Sequence, residues 1–259
     1  MPRAFFLFLC LLITSQFSWA AEGRADYDLD DDGLIEIDDW ADLDEVRNNL
    51  DGSALYASNA GCPVDGCIGF ELTTDLDFDT NNDGVLDSND AYWNNGEGWQ
   101  PIGSDKINLF TGVFYGNGHI IRNLMIARPN SSYQGLFGYL GHATIKELGL
   151  TGSLVKGKDD VGALAGSAIS SKITAAFVSG STMGSGDNVG GLIGDAGSSE
   201  ITASYVTGAV SGHYYVGGVV GRGSNGGVIA SLSTAYVVSD RYSSGLIGRW
   251  GSANTSYWA

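Results

Sequence analysis

Five copies of a glycine-bounded hexapeptide constrain this chain more than any other feature: YQGLFG (133–138), VGALAG (161–166), VGGLIG (189–194), VGGVVG (216–221) and SSGLIG (243–248). Their closing glycines, Gly138, Gly166, Gly194, Gly221 and Gly248, are spaced 28, 28, 27 and 27 residues apart. A fixed period of this size marks a solenoid or repeat array. Helical repeats run longer, about 33 to 47 residues, with Leu and Ala at helical spacing. Here each unit is Gly, Val, Ile, Ser and Thr in short runs, so the unit is β.

A second strand follows each hexapeptide: ATIKELGLTGS (143–153), SKITAAFVSGS (171–181) and SEITASYVTGA (199–209). Ile145, Ile173 and Ile201 form one column, Leu150, Val178 and Val206 another, with Thr151, Ser179 and Thr207 beside them and Gly152, Gly180 and Gly208 after them. Equal residues at one-coil offset are what a parallel β-helix stacks, each coil about 4.8 Å above the last. The expected fold is therefore all-β, a parallel β-helix of 27–28 residues per coil, right-handed by the parallel-crossover preference. Glycine at the corners is expected to supply positive φ and to leave room where no side chain can project. The fourth unit, GGVIASLSTAYVVSD, reads as longer between Gly221 and Tyr236, which predicts an insertion or bulge there. Trp250, Tyr257 and Trp258 in the last coil either close the far end or form an end-to-end interface with a partner.

The chain starts with MPRAFFLFLCLLITSQFSWA, one basic residue, an apolar run from Ala4 to Ile13, and small residues at Ser18 and Ala20. That reads as a signal peptide over 1–20, the apolar run being well short of the ~20 residues a spanning helix needs. A lipid-anchor reading would want a cysteine nearer the leader's end than Cys10. No later stretch could span a bilayer as a helix, so the mature chain is expected to be exported, extracellular or at the cell surface, with the periplasm open as well.

Charge then divides the mature chain. Residues 21–105 hold 23 of the 30 Asp and Glu but only Arg24 and Arg47; residues 106–259 hold 10 basic and 7 acidic side chains. No basic cluster is present to displace phosphate counterions, which disfavours a nucleic-acid partner. The acid is ordered. In YDLDDDGLIEIDD, Asp28, Asp30 and Asp32 take positions 1, 3 and 5 of a calcium-loop pattern with Gly33 at 6, the Leu34 carbonyl at 7, Glu36 at 9 and Asp39 at 12. In DTNNDGVLDSND, Asp79, Asn81, Asp83, Gly84, Val85, Asp87 and Asp90 take the same offsets. Calcium needs six to eight hard oxygens on a tight turn, which this spacing supplies, although Asp at position 12 is one methylene short of the usual Glu. The bland alternative is two solvated acidic loops. Between them, Trp40, Leu43, Val46 and Leu50 share one face of a helix expected over 38–50, which would cover the open end of the solenoid. Cys62 and Cys67, the two cysteines beyond the leader, predict a local disulfide.

These segments, with FELTTDLDFDTNNDGVLD, FTGVFYGNGHIIRNL and the endings GLFG and GLIG, make residues 26–259 similar to bacterial GLUG-repeat proteins. The resemblance implies a secreted or surface, adhesin-like β-helix. Such proteins usually continue where this chain stops at SYWA, so a short member and one piece of a longer protein are both consistent with it. The organisation expected is a leader (1–20), an acidic cap with two calcium loops, helix and disulfide (21–105), and a β-helix (106–259).

Catalytic motifs are scarce. There is no H-E-x-x-H and no G-x-S-x-G. GSLVKGKD (152–159) nearly matches a phosphate-binding loop, but Asp159 replaces the hydroxyl that would hold magnesium; GRGSNG (221–226) precedes a strand and reads as a turn. His119, His142 and His213 fall beside glycine in expected turns. Asp159 and Asp187 should stack on neighbouring coils about 4.8 Å apart, near Lys156 and Lys158, a separation at which two carboxylates can cleave a glycosidic bond. Asp before a strand is also ordinary turn chemistry. Two functions follow: a non-catalytic, calcium-stabilised solenoid that binds a glycan or cell surface, or a small secreted polysaccharide lyase or glycosidase. Ice binding is weaker, because Thr174 and Thr202 stack without a continuing ladder.

Overall fold

The computed structural model describes residues 24–251. The leader at 1–20, with Cys10, and the terminal Tyr257 and Trp258 lie outside the described residues.

Every named strand pair is parallel, and strands that neighbour one another in a sheet are equivalents one coil apart. The seven-stranded wall makes this plain: Leu34–Ile37, Gly69–Leu72, Val113–Tyr115, Thr144–Lys146, Lys172–Thr174, Glu200–Thr202 and Gly227–Ile229 lie side by side in chain order. Walls of five, eight and three strands complete the molecule. One coil visits four walls in turn, as Ala165–Ile169, Lys172–Thr174, Phe177–Gly184 and Asp187–Gly190 do. The fold is thus an all-β solenoid of about five turns with one short helix near its start.

Stacked apolar columns fill the interior. Ile35, Phe70, Phe114, Ile145, Ile173, Ile201 and Val228 pair rung to rung and are all buried, as are Leu76, Ile121, Leu150, Val178 and Val206. Burial of each such side chain is worth about 1.5–3 kcal/mol. The hexapeptide adds its fourth residue, Leu136, Leu164, Leu192 and Val219, to the same core.

Of the two purposes expected of the glycines, the structure shows the second, room where no side chain can project. The five closing glycines do not adopt positive φ. The left-handed corner lies earlier, on Tyr133 (φ 59), Asp160 (φ 53), Asn188 (φ 60) and Tyr215 (φ 53). A Cβ on Gly166 would sit 2.5 Å from Tyr133 backbone, and one on Gly194 2.4 Å from the Val161 nitrogen. Each closing glycine therefore lets one coil lie against the corner of the coil before it.

The irregularity also falls elsewhere. From Glu200↔Gly227 through Gly212↔Ser239 the offset stays at 27, so the fourth unit carries no insertion; its strand is only interrupted between Leu232–Ser233 and Tyr236–Ser239. The register shift is at Gly152, where Thr151 faces Ser179 but Ser153 faces Gly180.

Two rungs of the seven-stranded wall, Leu34–Ile37 and Gly69–Leu72, come from the acidic segment, so the stack begins inside it. The helix spans Trp40–Glu45, continues as a 3-10 turn over Val46–Asn48, and is shorter than its hydrophobic pattern suggests. Leu43 and Val46 are buried, Trp40 packs on Phe78, Tyr92 and Trp99, and the Arg47 guanidinium lies 4.6 Å from the Trp99 ring centre. The helix follows the edge strand Leu34–Ile37, which is paired on one side only among the described residues.

Candidate cation centre and outer walls

The two acidic loops share one backbone. Their fourth positions, Asp31 (φ 60) and Asn82 (φ 58), are left-handed, as are Gly33 (φ 86) and Gly84 (φ 83). In the first loop both Asp28 oxygens accept backbone N–H groups, from Asp32 at 3.0 Å and Gly33 at 2.9 Å; in the second, Asp79 accepts from Asp83 at 3.1 Å and Gly84 at 2.8 Å. Asp32 then accepts from Leu34 N–H, and Asp83 from Val85 N–H.

Beyond that turn the loops differ. Asp28, Asp30 and Asp32 offer oxygens within 4.8 Å of one another, and so do Asp30, Glu36 and Glu71. Asp28 and Glu36 are buried, while Asp30 and Asp32 are exposed. Glu71 carries no signal in the sequence pattern, because it comes from the next coil. It stands directly opposite Glu36 in the parallel pair of Leu34–Ile37 with Gly69–Leu72. Register alone could have found it, since the two residues sit at matching places in LIEI and GFEL. Burial, and then the neighbouring acids Asp32, Asp30, Glu36 and Asp28, push the Glu71 carboxyl up to about 7. Burial raises Asp28 and Glu36 as well, against the backbone N–H groups they accept.

Asp39 is not part of this group. Its carboxylate caps the helix by accepting the Asp42 N–H at 2.9 Å, and it clusters with Asp38 and Asp42. Arg24 serves that cluster, pairing with Asp42 and, at 3.0 Å, with Asp38. In the second loop, Asp90 is buried and accepts N–H groups from Asp87 at 2.9 Å, Thr80 at 2.8 Å and Asn81 at 3.4 Å. Those donors, the Asp87 N–H foremost, hold its carboxyl below the usual range. Asp87 accepts from Asn89 N–H at 2.8 Å. Cys62 and Cys67 are joined by a disulfide with Cα atoms 5.2 Å apart, and the Cys67 sulfur lies 3.6 Å from Asp28 Oδ2.

Asp159 and Asp187 do meet across neighbouring coils, but through the backbone: Asp159 Oδ1 accepts the Asp187 N–H at 2.9 Å. Burial opposes ionisation of Asp159, yet the Asp187 N–H, Lys158 and Ser132 outweigh it and hold the carboxyl below its usual range. A general acid needs the opposite shift. Asp187 faces His213 at 3.4 Å, and His119 faces Asp75 at 3.2 Å, so two of the turn histidines have carboxylate neighbours.

The outer surface beside the hexapeptides was not legible as a site. The corner residues Tyr133, Asp160, Asn188 and Tyr215 rise in one line, and Tyr139, Ser167, Asp195, Arg222 and Arg249 form a parallel column on the five-stranded wall, with Tyr139 and Ser167 buried and Arg222 and Arg249 exposed. The two lines touch. Tyr133 and Tyr139 rings are 5.4 Å apart, Asp160 accepts from Asn188 at 2.7 Å, and Arg249 lies 4.8 Å from the Tyr215 ring centre. Tyr215 also stacks on Tyr242, with centroids 5.6 Å apart. Burial, with Asp195 and Asp159 nearby, pushes the Asp160 carboxyl up to about 6 despite the Asn188 amide.

No helix among the described residues is long and apolar enough to cross a membrane. No family model matches the chain. It is 30% identical over 138 residues to halomucin of Haloquadratum walsbyi, a match covering 53% of this chain and 1% of halomucin. It is 31% identical over 170 residues to a protein of Evansella cellulosilytica provisionally named a Gly-rich membrane protein, covering 62% of this chain and 17% of that protein. The chain thus spans a small fraction of either relative. A crystal structure from Bacteroides ovatus, provisionally named an immunoglobulin A1 protease, aligns with a TM-score of 0.45 and 13% identity over 84% of this chain and 82% of that one.

Proposed function

We propose that the chain is an exported, surface-displayed, non-catalytic β-solenoid of GLUG-repeat type that binds a glycan or cell-surface ligand along its outer walls, with calcium held in its acidic N-terminal loops. The observation that carries the binding reading is the double line of Tyr133, Asp160, Asn188 and Tyr215 beside Asp195, Arg222 and Arg249. Tyrosine rings offer flat apolar faces with a polar tip, and carboxylate, amide and guanidinium groups donate to and accept from hydroxyls in fixed directions. A stacked β wall repeats such groups about every 4.8 Å, which suits a long ligand with many weak contacts. The names of the two relatives, halomucin and a Gly-rich membrane protein, support display at a surface.

For calcium, the supporting features are the two matching loop turns and the convergent acids of the first. The last described coil exposes Leu232, Tyr236, Val238 and Tyr242, which fits end-to-end association with a further coil or partner.

A glycan panel probed with the whole chain, with and without calcium, tests the binding reading. Retained glycans are expected, with Tyr133→Ala and Tyr215→Ala each weakening retention about tenfold at unchanged melting temperature. Binding untouched by both substitutions would contradict the wall assignment. Release of oligosaccharides from a polysaccharide panel would favour the lyase or glycosidase alternative.

A further inference from the structure

We infer that the first acidic loop is a calcium site shared between two coils, in which Glu71 of the second rung, and not Asp39, supplies the closing carboxylate. This rests on the calcium part of the reading above and adds to it the ligand set and the consequence.

Glu36 and Glu71 point the same way from paired strands, yet only 4% of Glu36 and 6% of Glu71 is exposed. Like charges directly opposite on neighbouring strands repel, and burial sharpens that repulsion. Among the described residues no Lys or Arg forms an ion pair with Asp28, Asp30, Asp32, Glu36 or Glu71. The decisive atom is Glu36 Oε2. Glu36 Oε1 accepts the Leu29 N–H at 2.6 Å, whereas Oε2 is buried with no hydrogen-bond partner. A buried carboxylate oxygen without a donor is rare enough to demand an account. Asp30 belongs to both convergent groups, so its carboxylate joins the loop acids Asp28 and Asp32 to the strand acids Glu36 and Glu71.

The sixth oxygen of the inferred set is the Leu34 carbonyl, position 7 of the loop pattern. Gly33 and Ile37 carbonyls accept from the neighbouring rung, through Ile68 N–H and Thr73 N–H. Alternation along the strand turns the Leu34 carbonyl to the other edge, where Glu36 N–H meets the Tyr27 carbonyl. Five carboxylates and a carbonyl, with no nitrogen or sulfur, suit a hard cation. Their irregular geometry and number suit calcium better than magnesium, which demands a small octahedron and keeps its waters. Asp39 is excluded because it caps the helix and sits with the Arg24-paired acids. The second loop lacks this arrangement: its Asp90 already accepts three backbone N–H groups, and among the described residues none of its acids belongs to a convergent group of three. Calcium bound at the first loop therefore staples the first rung to the second, at the end from which a stack frays.

The test is calorimetry with calcium chloride on the chelator-stripped whole chain, alongside terbium emission sensitised by Tyr27, which adjoins Asp28. Glu71→Gln is expected to weaken the first site at least about tenfold, to abolish sensitised terbium emission and to remove most of the calcium-induced rise in melting temperature. Asp39→Asn keeps a good helix cap and is expected to bind like the parent. Both variants are checked by far-UV circular dichroism, and Glu71→Asp provides a second variant at the same position, expected to restore part of the affinity. Parent-like binding by Glu71→Gln, or loss of binding in Asp39→Asn, would overturn the inference while leaving calcium binding intact. A parent chain that gives no calcium heat and melts identically in chelator would sink both readings together.

Discussion

A Cβ on Gly166 would lie 2.5 Å from the Tyr133 backbone and 2.7 Å from the Asp160 carbonyl oxygen, neither of which can yield without moving a coil. Gly166→Ala should therefore destabilise the protein by about 1–3 kcal/mol, the usual range for overpacking. Ala203, held at φ 51, should behave in the opposite sense: Ala203→Gly relieves left-handed strain of about 1–2 kcal/mol, offset by the greater freedom of the unfolded chain, and should be neutral or mildly stabilising. Chemical denaturation of the two variants checks the pair. The glycine column and its need for room were legible in the sequence, but the residues each glycine lies against were not, because a close approach between coils leaves no local mark. The left-handed tyrosines were illegible for a related reason: Tyr has no preference for positive φ, and only the stack holds it there. Asp160 provides a further residue-scale prediction. The folded state holds its proton more tightly than the unfolded chain, so its contribution is present at low pH and is lost as pH rises from 3.8 toward about 6. The loss cannot exceed about 1.4 kcal/mol per pH unit. Asp160→Asn, whose side-chain oxygen can still accept from Asn188, should gain on the parent across that window and remain parallel to it above, in denaturation curves at several pH values.

Elements behave according to which neighbour completes them. The helix Trp40–Glu45 is too short to stand alone and depends on Leu43 and Val46 in the core and on Asp39 at its cap. Asp39→Ala should cost about 1 kcal/mol in thermal or urea melts, the typical worth of an N-cap. The inner columns were readable from their 28-residue offset. Ile173, paired to Ile145 and Ile201 and fully buried, should cost about 2–5 kcal/mol on change to Ala. The break in register was not readable. A doublet of Gly152 and Ser153 against one Gly180 looks like ordinary repeat drift, whereas the eye goes to the irregular lettering of the fourth unit, which keeps its 27-residue step. Turn chemistry explains the calcium pattern similarly. Positions 1 to 6 of each loop are local and could be read off directly, but position 12 is a tertiary question. In the first loop the helix claims Asp39, and the carboxylate opposite Glu36 comes from a strand that the loop motif does not mention.

At the scale of the whole molecule, a solenoid is stable because each coil buries its neighbour, and its ends are its weak points. Its acidic end joins the stack as its first rungs, with five uncompensated carboxylates gathered where the first rung meets the second. In the last described coil, Leu232, Tyr236 and Tyr242 are exposed. Between the ends, the walls carry a repeating line of tyrosine, carboxylate and arginine that the hexapeptide period hides, because the repeat is strict in its interior glycines and aliphatics and free outside. A cation between the first two rungs would make the acidic end the firmest part of the stack instead of the weakest. The most direct measurement is anomalous diffraction from crystals of the chain grown with calcium and exchanged into terbium. The account predicts a strong peak bounded by Asp28, Asp30, Asp32, Glu36 and Glu71. A peak beside Asp39 with Asp38 and Asp42, or no peak in the first loop, would contradict it.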